Sequence, residues 1–223
     1  MIKAVLFDLD GTLADTAPDL GRALNCLLEE HGRPPVSLES ARRVASRGAR
    51  GLIQAGFGIT PESNNYAALQ VRFLDLYEQA VCVDTRLFAE IEAVLERIET
   101  SGLLWGIVTN KAARFTIPLV EAMGLDRRAA CVVCGDTTAR LKPAPDPLLH
   151  ASRKIGVAPA HCLYIGDDLR DIQAARAAGM PVLAATYGYL DNGEQPGQWG
   201  ADALISSPIE VLNFLDHTPS MRQ

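Results

Sequence analysis

The stretch that decides the fold of this 223-residue chain is Ala4-Val5-Leu6-Phe7-Asp8-Leu9-Asp10-Gly11-Thr12. Four apolar residues in a row, ended by an aspartate, are typical of a strand that is buried on both faces of a parallel sheet. The chain holds five more apolar runs of this kind: Leu103–Val108, Ala130–Cys134, Cys162–Ile165, Val182–Ala185 and Ala203–Ile205. The six runs predict the strands of one mostly parallel sheet.

Helical patterns stand between these runs. Apolar residues recur at helical spacing from Leu87 to Ile98, and Gly102 follows as a stop signal. Similar patterns, each followed directly by a glycine, occupy Ile117–Met123, Pro147–Ile155 and Leu169–Ala178. Because strands and helices alternate in this way, we predict an α/β protein with a doubly wound parallel sheet.

The interval between the first two strands is too long for a single crossover, since a βαβ unit takes about 30 residues. The surplus, residues 15–83, contains one amphipathic helical pattern around Leu20–Leu28 and another at Tyr66–Tyr77. Between them, Ser46–Gly51 is rich in glycine and arginine and is predicted to be a loop. We therefore predict a small helical domain at residues 15–83, inserted into a core formed by residues 1–14 and 84–223.

Four polar clusters share one placement, because each follows the end of an apolar run. They are Asp8-Leu9-Asp10-Gly11-Thr12, Thr109-Asn110, Lys142, and Gly166-Asp167-Asp168 with Asp171. In an open α/β sheet, ligands bind outside the carboxyl ends of the strands. The clusters are therefore predicted to meet in a single pocket at that edge.

Acidic residues dominate the predicted pocket. The carboxylates of Asp8, Asp10, Asp167 and Asp168 would repel one another if they met in one crevice. A divalent cation relieves such repulsion, and oxygen ligands without a nearby histidine favour Mg²⁺. We therefore predict that these four aspartates form a magnesium site.

The same pocket contains the groups that phosphoryl transfer requires. A carboxylate can attack phosphorus and so divide one difficult displacement into two easier steps. Asp8 is the predicted nucleophile because it follows the strand directly, and Asp10 is the predicted general acid and base. The charge of Lys142 and the Thr109 hydroxyl are predicted to bind the phosphoryl oxygens, with further backbone N–H donors from the turns at Leu9 and Asn110.

Several of these residues also have a purely structural interpretation. Gly166-Asp167-Asp168 is suited to capping the helix that follows. Asp171 is predicted to support that helix terminus, or the surroundings of the pocket, rather than to bind metal. Arg47 and Arg50 are candidates for pairing with a substrate carboxylate, and equally for solvent-exposed arginines.

Composition argues against several classes of function. The formal net charge is −6 and no Lys/Arg run occurs, which argues against nucleic acid or an anionic membrane as a partner. No apolar stretch is long enough to span a bilayer, and the first apolar run is too short for a signal peptide. These features predict a cytoplasmic enzyme that acts on a small molecule.

The four clusters resemble the four motifs of the haloacid dehalogenase superfamily, and the resemblance extends over essentially the whole chain. It implies a Rossmann-like core with an α-helical cap domain inserted after the first motif. It also implies that Asp8 is the nucleophile and Asp10 the general acid and base. Mg²⁺ would be held by Asp8, the backbone carbonyl of Asp10 and Asp167, with Asp168 assisting or positioning Lys142.

Asp10 narrows the resemblance to the phosphatases of this superfamily. The dehalogenases of the superfamily lack this second aspartate. The placement and length of the cap resemble the phosphoglycolate phosphatases. Ser46–Arg50 and Leu103–Lys111 are more narrowly similar to the N-acetylmuramic acid 6-phosphate phosphatases of peptidoglycan recycling. The implied activity is hydrolysis of N-acetylmuramic acid 6-phosphate or 2-phosphoglycolate by a monomer or homodimer. The alternatives are a phosphomutase of the β-phosphoglucomutase type and a non-catalytic binding module.

Overall fold

The computed structural model describes residues 1–191 and 193–215. Its strands are β1 (Ala4–Phe7), β2 (Ala14–Asp15), β3 (Arg86–Leu87), β4 (Leu104–Val108), β5 (Cys131–Val133), β6 (Cys162–Gly166), β7 (Val182–Ala185) and β8 (Ala203–Ile205). Its helices are α1 (Ala17–Glu30), α2 (Leu38–Ala45), α3 (Gly48–Phe57), α4 (Tyr66–Glu78), α5 (Ile91–Thr100), α6 (Ala113–Ala122), α7 (Asp146–Ile155) and α8 (Leu169–Ala178). Among the described residues, none of these helices is long and apolar enough to cross a membrane.

Six strands form one sheet in the order β5-β4-β1-β6-β7-β8, and every neighbouring pair is parallel. The prediction of an α/β protein with a doubly wound parallel sheet is therefore confirmed. Strand β1 lies at the centre, between β4 and β6, where the direction of strand addition reverses. Such a switch point opens a crevice at the carboxyl ends of the strands.

The residues of β1 alternate between the two faces of the sheet, as strand geometry requires. Val5 and Phe7 belong to an apolar cluster that also contains residues of α5 and α6. Ala4 and Leu6 belong to a second cluster, with residues of α7 and α8. All four side chains are fully buried, so β1 is held rigidly from both sides.

Helices α1 to α4, here called the helical insertion (Ala17–Glu78), lie within the segment that the sequence assigns to the cap. Their buried residues continue the apolar cluster on the Val5 and Phe7 face of the sheet. The prediction of a loop at Ser46–Gly51 is wrong from Gly48 onward, because α3 begins there. Leu52, Ile53 and Phe57 bury one face of α3, and this packing outweighs the low helix propensity of the glycines.

The two chain segments that join the helical insertion to the sheet are fastened to each other. Strands β2 and β3 pair antiparallel. Near them, the buried Asp19 side chain accepts hydrogen bonds from the backbone N–H groups of Val83, Asp84 and Thr85, and from the Thr85 hydroxyl. The Arg22 side chain donates to Asp19 Oδ1 at 2.7 Å. The Asp19 carboxylate near the start of α1 therefore fixes the segment Val83–Thr85, which leads from the helical insertion back to the sheet.

We expect Asp19→Ala to destabilise the protein by about 3 kcal/mol, because buried N–H donors would lose a charged acceptor. Urea unfolding followed by circular dichroism measures this. Glu29→Ala, at an exposed position on the same helix, serves as the control and should change the free energy of unfolding by less than about 0.5 kcal/mol. Equal stability of the two variants would contradict the role given to Asp19.

Candidate active site

The four polar clusters predicted from the sequence lie at the carboxyl edge of the sheet, around the ends of β1, β4 and β6. A cavity of about 470 Å³ opens there between the sheet and the helical insertion. The sheet side supplies Asp8, Asp10, Thr109 and Lys142, and the helical insertion supplies residues of α3 and α4. A second hollow of about 870 Å³, beside α1 and α2, is lined by none of these polar clusters.

The ammonium group of Lys142 lies at the centre of the site. Its Nζ atom is 2.9 Å from Asp8 Oδ1 and 2.7 Å from Asp171 Oδ1. It also donates to the Val108 carbonyl at 3.0 Å and lies 2.8 Å from the Tyr164 hydroxyl. Burial lowers the pKa of Lys142, but the charges of Asp171 and Asp8 outweigh that effect and raise the pKa above its ordinary value. Lys142 is therefore a buried, charged group.

The proposed nucleophile Asp8 follows β1 directly and reaches the cavity with 14% of its side chain exposed. Burial raises the pKa of Asp8 from 3.8 to about 7, although the Lys142 ammonium partly offsets the effect. The backbone N–H of Leu9 donates to Asp8 Oδ1 at 2.8 Å. These contacts hold the carboxylate in one orientation at the floor of the cavity.

Asp167, at the end of β6, lies beside Asp8. Its Oδ1 atom accepts from the Thr12 hydroxyl at 2.8 Å, and its Oδ2 atom accepts from the backbone N–H of Tyr189 at 2.9 Å. Gly11 has a φ of +84°, and a Cβ atom there would lie 2.2 Å from Asp167 Oδ2. Only glycine at that position therefore allows the turn after β1 to approach Asp167 so closely.

Three carboxylates meet at this point. One oxygen each from Asp8, Asp167 and Asp171 lies within 4.8 Å of the others. Burial, followed by the charges of Asp8 and Asp171, raises the pKa of Asp167 well above its ordinary value. Buried carboxylates that repel one another are stabilised by a hard divalent cation, which prefers oxygen ligands. The donor set therefore suits Mg²⁺.

Asp168 is not part of this cluster of three carboxylates. It caps α8, and its two carboxylate oxygens accept from the Arg170 side chain at 2.8 and 2.7 Å. Burial raises the pKa of Asp168, but the hydrogen bonds from Arg170 dominate and lower it. Its assignment as a metal ligand stays a prediction.

Asp171 supports both the helix terminus and the surroundings of the pocket, as expected. Its Oδ2 atom accepts from the backbone N–H of Asp168 at 3.2 Å, which completes the cap of α8. Its Oδ1 atom binds Lys142 and accepts from the Tyr164 hydroxyl at 3.1 Å. Both oxygens of Asp171 are therefore engaged by protein donors.

Asp10, two residues after Asp8, also lines the cavity. Its Oδ1 atom accepts from the Thr16 hydroxyl at 2.5 Å and from Lys111 Nζ at 2.8 Å. Burial lowers the pKa of Lys111, but the Asp10 carboxylate outweighs that effect and keeps the pKa above its ordinary value. Asp10 is therefore paired with its own cation, distinct from Lys142.

The two residues after β4 have different roles. The Asn110 side chain donates to the Lys142 carbonyl and accepts from the Lys142 backbone N–H, both at 2.9 Å. It therefore fixes the backbone that carries the lysine. The Thr109 hydroxyl oxygen accepts from the backbone N–H of Lys111 at 3.1 Å. Within the described residues, the Thr109 hydroxyl donates to no protein acceptor. The predicted phosphate contacts of Thr109 and Asn110 stay predictions.

The two arginines of the helical insertion line the rim of the cavity. Arg47 forms an ion pair with Asp191 of the core and is half exposed. Arg50 lies in the first turn of α3 and is exposed. Their predicted contacts with a substrate carboxylate stay predictions.

Sequence reasoning gave no role to four side chains that the structure brings into the site: those of Lys111, Tyr164, Thr12 and Ser46. Lys111 had a usable signal, because it directly follows Thr109-Asn110 at a strand end. Tyr164 lies inside an apolar run and looked like a core residue. The Ser46 hydroxyl lies 3.3 Å from Asp167 Oδ2, a contact between segments 121 residues apart.

Comparison with known proteins agrees with this geometry. The model of the family described as haloacid dehalogenase-like hydrolase matches residues 5–185. The chain is 43% identical over 215 residues to an N-acetylmuramic acid 6-phosphate phosphatase of Pseudomonas aeruginosa, covering 96% of this chain and 95% of the relative. It is 44% identical over 209 residues to a phosphoglycolate phosphatase of Xanthomonas campestris, covering 94% of each.

Solved structures share the fold. A crystal structure from Haemophilus somnus, described as a predicted phosphoglycolate phosphatase, superposes with a TM-score of 0.82 at 27% identity. The match covers 95% of this chain and 97% of that one. The suspected superfamily and subfamily are therefore confirmed by both sequence and fold.

Metal binding should depend on pH through Asp8. In the metal-free folded protein, Asp8 holds a proton between pH 3.8 and about 7 that the unfolded chain has released. Its contribution to the free energy of unfolding therefore falls as pH rises through that window. A cation that binds the ionised carboxylate must first displace the proton.

We therefore expect MgCl₂ to raise the melting temperature more at about pH 8 than at about pH 5.5, with the ionic strength matched by NaCl. Differential scanning calorimetry measures the shift. Equal shifts at both pH values would show that Asp8 is not at the metal site.

Proposed function

The chain belongs to the haloacid dehalogenase-like hydrolases, and on that basis we propose that it is a phosphatase that transfers a phosphoryl group to Asp8 and then to water. The observation that carries this proposal is the ion pair between Asp8 and the buried Lys142, at 2.9 Å, on the floor of the cavity. Such a pair presents a rigid nucleophile next to the charge that a transferring phosphoryl group needs.

In the first step, a carboxylate oxygen of Asp8 attacks the phosphorus of a phosphate ester, and the bond from phosphorus to the ester oxygen breaks. Asp10 gives its proton to that departing oxygen, so the alcohol leaves neutral. Lys142 balances the negative charge of the phosphoryl oxygens, and the Thr109 hydroxyl donates to one of them. The product is an aspartyl phosphate on Asp8 and an alcohol.

In the second step, water attacks the phosphorus of the aspartyl phosphate. Asp10, now a carboxylate, takes a proton from that water, and the bond from phosphorus to the Asp8 oxygen breaks. Inorganic phosphate leaves, and both aspartates return to their starting states. The same carboxyl group serves as acid and then as base, which is why it needs a position separate from Lys142.

We propose that Asp8 and Asp167, with the backbone carbonyl of Asp10, hold Mg²⁺. When bound, the ion supplies positive charge that offsets the repulsion between the carboxylates and the phosphate ester. Asp171 is the least suited of the three clustered carboxylates, because protein donors already engage both of its oxygens. Asp168 stays a further candidate ligand, although Arg170 donates to both of its carboxylate oxygens.

We propose that the helical insertion is the cap and that N-acetylmuramic acid 6-phosphate is the preferred substrate. The cavity of about 470 Å³ supports this choice, since pockets of about 300–1,000 Å³ take ligands larger than a two-carbon acid. The relative from Pseudomonas aeruginosa carries that activity in its name. 2-Phosphoglycolate is the second candidate, because the Xanthomonas relative is named for it.

The net charge of −6 supports a small-molecule substrate and not nucleic acid. We propose that the enzyme acts in the cytoplasm, as a monomer or homodimer. The phosphomutase alternative makes a different product: a hexose 1-phosphate would be isomerised without net release of phosphate. Phosphate release and isomerisation are measured in the same incubation, so the two functions are separable.

We expect Asp8→Asn to lower the Mg²⁺-dependent hydrolysis of p-nitrophenyl phosphate by at least about a thousandfold, because the amide is a poor nucleophile. The release of p-nitrophenol measures the rate. Asp126→Asn, the same change at an exposed position, is the control and should retain the rate. Normal hydrolysis by the Asp8 variant would show that Asp8 is not the nucleophile.

We expect kcat/KM for N-acetylmuramic acid 6-phosphate to exceed that for 2-phosphoglycolate by at least about tenfold, since more of the larger substrate contacts the cavity wall. Phosphate release measured for both compounds under the same conditions gives the ratio. A ratio below one would assign the enzyme to the two-carbon acid.

A further inference from the structure

Lys111 is a buried cation for which the steps above have no use. Its side chain is only 8% exposed, and its Nζ atom lies 2.8 Å from Asp10 Oδ1. Lys142 already serves the phosphoryl group and Asp8. A second buried ammonium in the same cavity therefore needs its own explanation.

The contacts of Asp10 suggest what Lys111 does. Within the described part of the chain, the donors to the Asp10 side chain are Lys111 Nζ and the Thr16 hydroxyl, and both reach Oδ1. With one oxygen held by two donors, the carboxyl group cannot rotate freely, and Oδ2 remains for the ester oxygen of the substrate. General acid catalysis depends on such placement as much as on acidity.

The helical insertion covers Lys111 from the other side. Tyr77 of α4 places its ring over the ammonium, with 4.6 Å between Nζ and the ring centroid. Tyr77 is itself 2% exposed and packs against Phe115 of α6, at 5.5 Å between ring centroids. Lys111 therefore lies between a core carboxylate and an aromatic ring of the helical insertion, and the ring attracts the cation.

The Tyr77 hydroxyl is buried and makes no hydrogen bond within the described residues. The ring face of Tyr77 therefore lies against the ion pair, and the hydroxyl is close enough to Lys111 to interact with it electrostatically. If the helical insertion moved away, Lys111 would lose its aromatic cover and face water, where its pairing with Asp10 is weaker.

We infer that Lys111 is a positioning residue for Asp10, and that Tyr77 makes this positioning depend on closure of the helical insertion over the site. The inference rests on the proposed function, because it assumes that Asp10 donates a proton to the departing oxygen. Closure and proton transfer are then coupled through the ion pair of Lys111 with Asp10 and through the ring of Tyr77.

The test uses the dependence of a general acid on the leaving group. An alkyl phosphate has a weakly acidic alcohol as leaving group and needs the proton, whereas p-nitrophenyl phosphate has an acidic phenol and needs it little. The two alkyl substrates are N-acetylmuramic acid 6-phosphate and 2-phosphoglycolate, and the one that the wild type hydrolyses faster is used. The parameter is kcat/KM, which reports formation of the aspartyl phosphate.

We expect Lys111→Met to lower the ratio of kcat/KM for the alkyl ester to that for p-nitrophenyl phosphate by about a hundredfold. Lys111→Gln, measured in parallel, should lower it in the same direction. Lys154→Met, at an exposed position of α7, is the control and should keep the wild-type ratio. An unchanged ratio in both Lys111 variants, whether the rates fall equally or not at all, would overturn the positioning role.

The Tyr77 part of the inference has its own variants. Tyr77→Leu removes the ring and should lower the same ratio by about tenfold, whereas Tyr77→Phe keeps the ring face and should lower it by less than about twofold. Tyr77→Met is a second variant without a ring, in case the leucine variant does not fold. A wild-type ratio in both ringless variants would overturn the coupling to closure.

The proposed phosphatase activity and the proposed role of Lys111 are tested by different measurements. Release of phosphate by the wild type, together with its loss in Asp8→Asn, tests the proposed function. The change in the ratio between wild type and variant tests the role of Lys111. A wild type that hydrolyses no ester would overturn both.

Discussion

The burial of the Lys142 ammonium is the constraint on which the rest of this molecule depends. Taking a charged ammonium out of water costs several kcal/mol, and the cost is met only by well-placed partners. Here the partners are Asp8, Asp171, the Val108 carbonyl and the Tyr164 hydroxyl. They come from the ends of β1 and β4, from within β6 and from α8, so the lysine can be buried only when the central sheet is correctly assembled.

The burial of Lys142 beside three carboxylates also sets the electrostatics of the site. Lys142 alone does not neutralise Asp8, Asp167 and Asp171, and burial keeps the pKa of Asp8 near 7 and that of Asp167 well above its ordinary value. The carboxylates therefore repel one another, and a divalent cation would reduce that repulsion.

The helical insertion completes the site by direct polar contacts with the core. Arg170 of α8 donates to the Ser46 carbonyl at 2.6 Å, and the Ser46 hydroxyl approaches Asp167. Arg47 pairs with Asp191. Tyr77 of α4 covers Lys111. The insertion therefore contacts both the acidic cluster, through its α2–α3 corner, and the pair of Lys111 and Asp10, through α4.

Much of this architecture is readable from residue patterns, because the patterns are local. The run Ala4–Phe7 has the bounds of β1, and Leu169–Ala178 has those of α8. Two errors have the same cause. The glycines near Gly48 resembled a loop although tertiary packing makes them helical, and α6 begins at Ala113, before the apolar pattern that predicted it. At the start of α6, the Asp136 side chain accepts from the backbone N–H of Ala113 at 3.0 Å, a contact that no local pattern shows.

By itself, the sequence determined the parallel sheet, two of the four inserted helices and the acidic residues at the strand ends. Helical spacing, strand burial and strand-end position are encoded within a few neighbouring residues. Only the tertiary structure decided which of these charged side chains pair with one another. It paired Lys142 with Asp8 and Asp171, Lys111 with Asp10, and Asp168 with Arg170. The physical reason is that an ion pair depends on a distance of about 3 Å between side-chain atoms, and residues far apart in the chain reach that distance only through the fold.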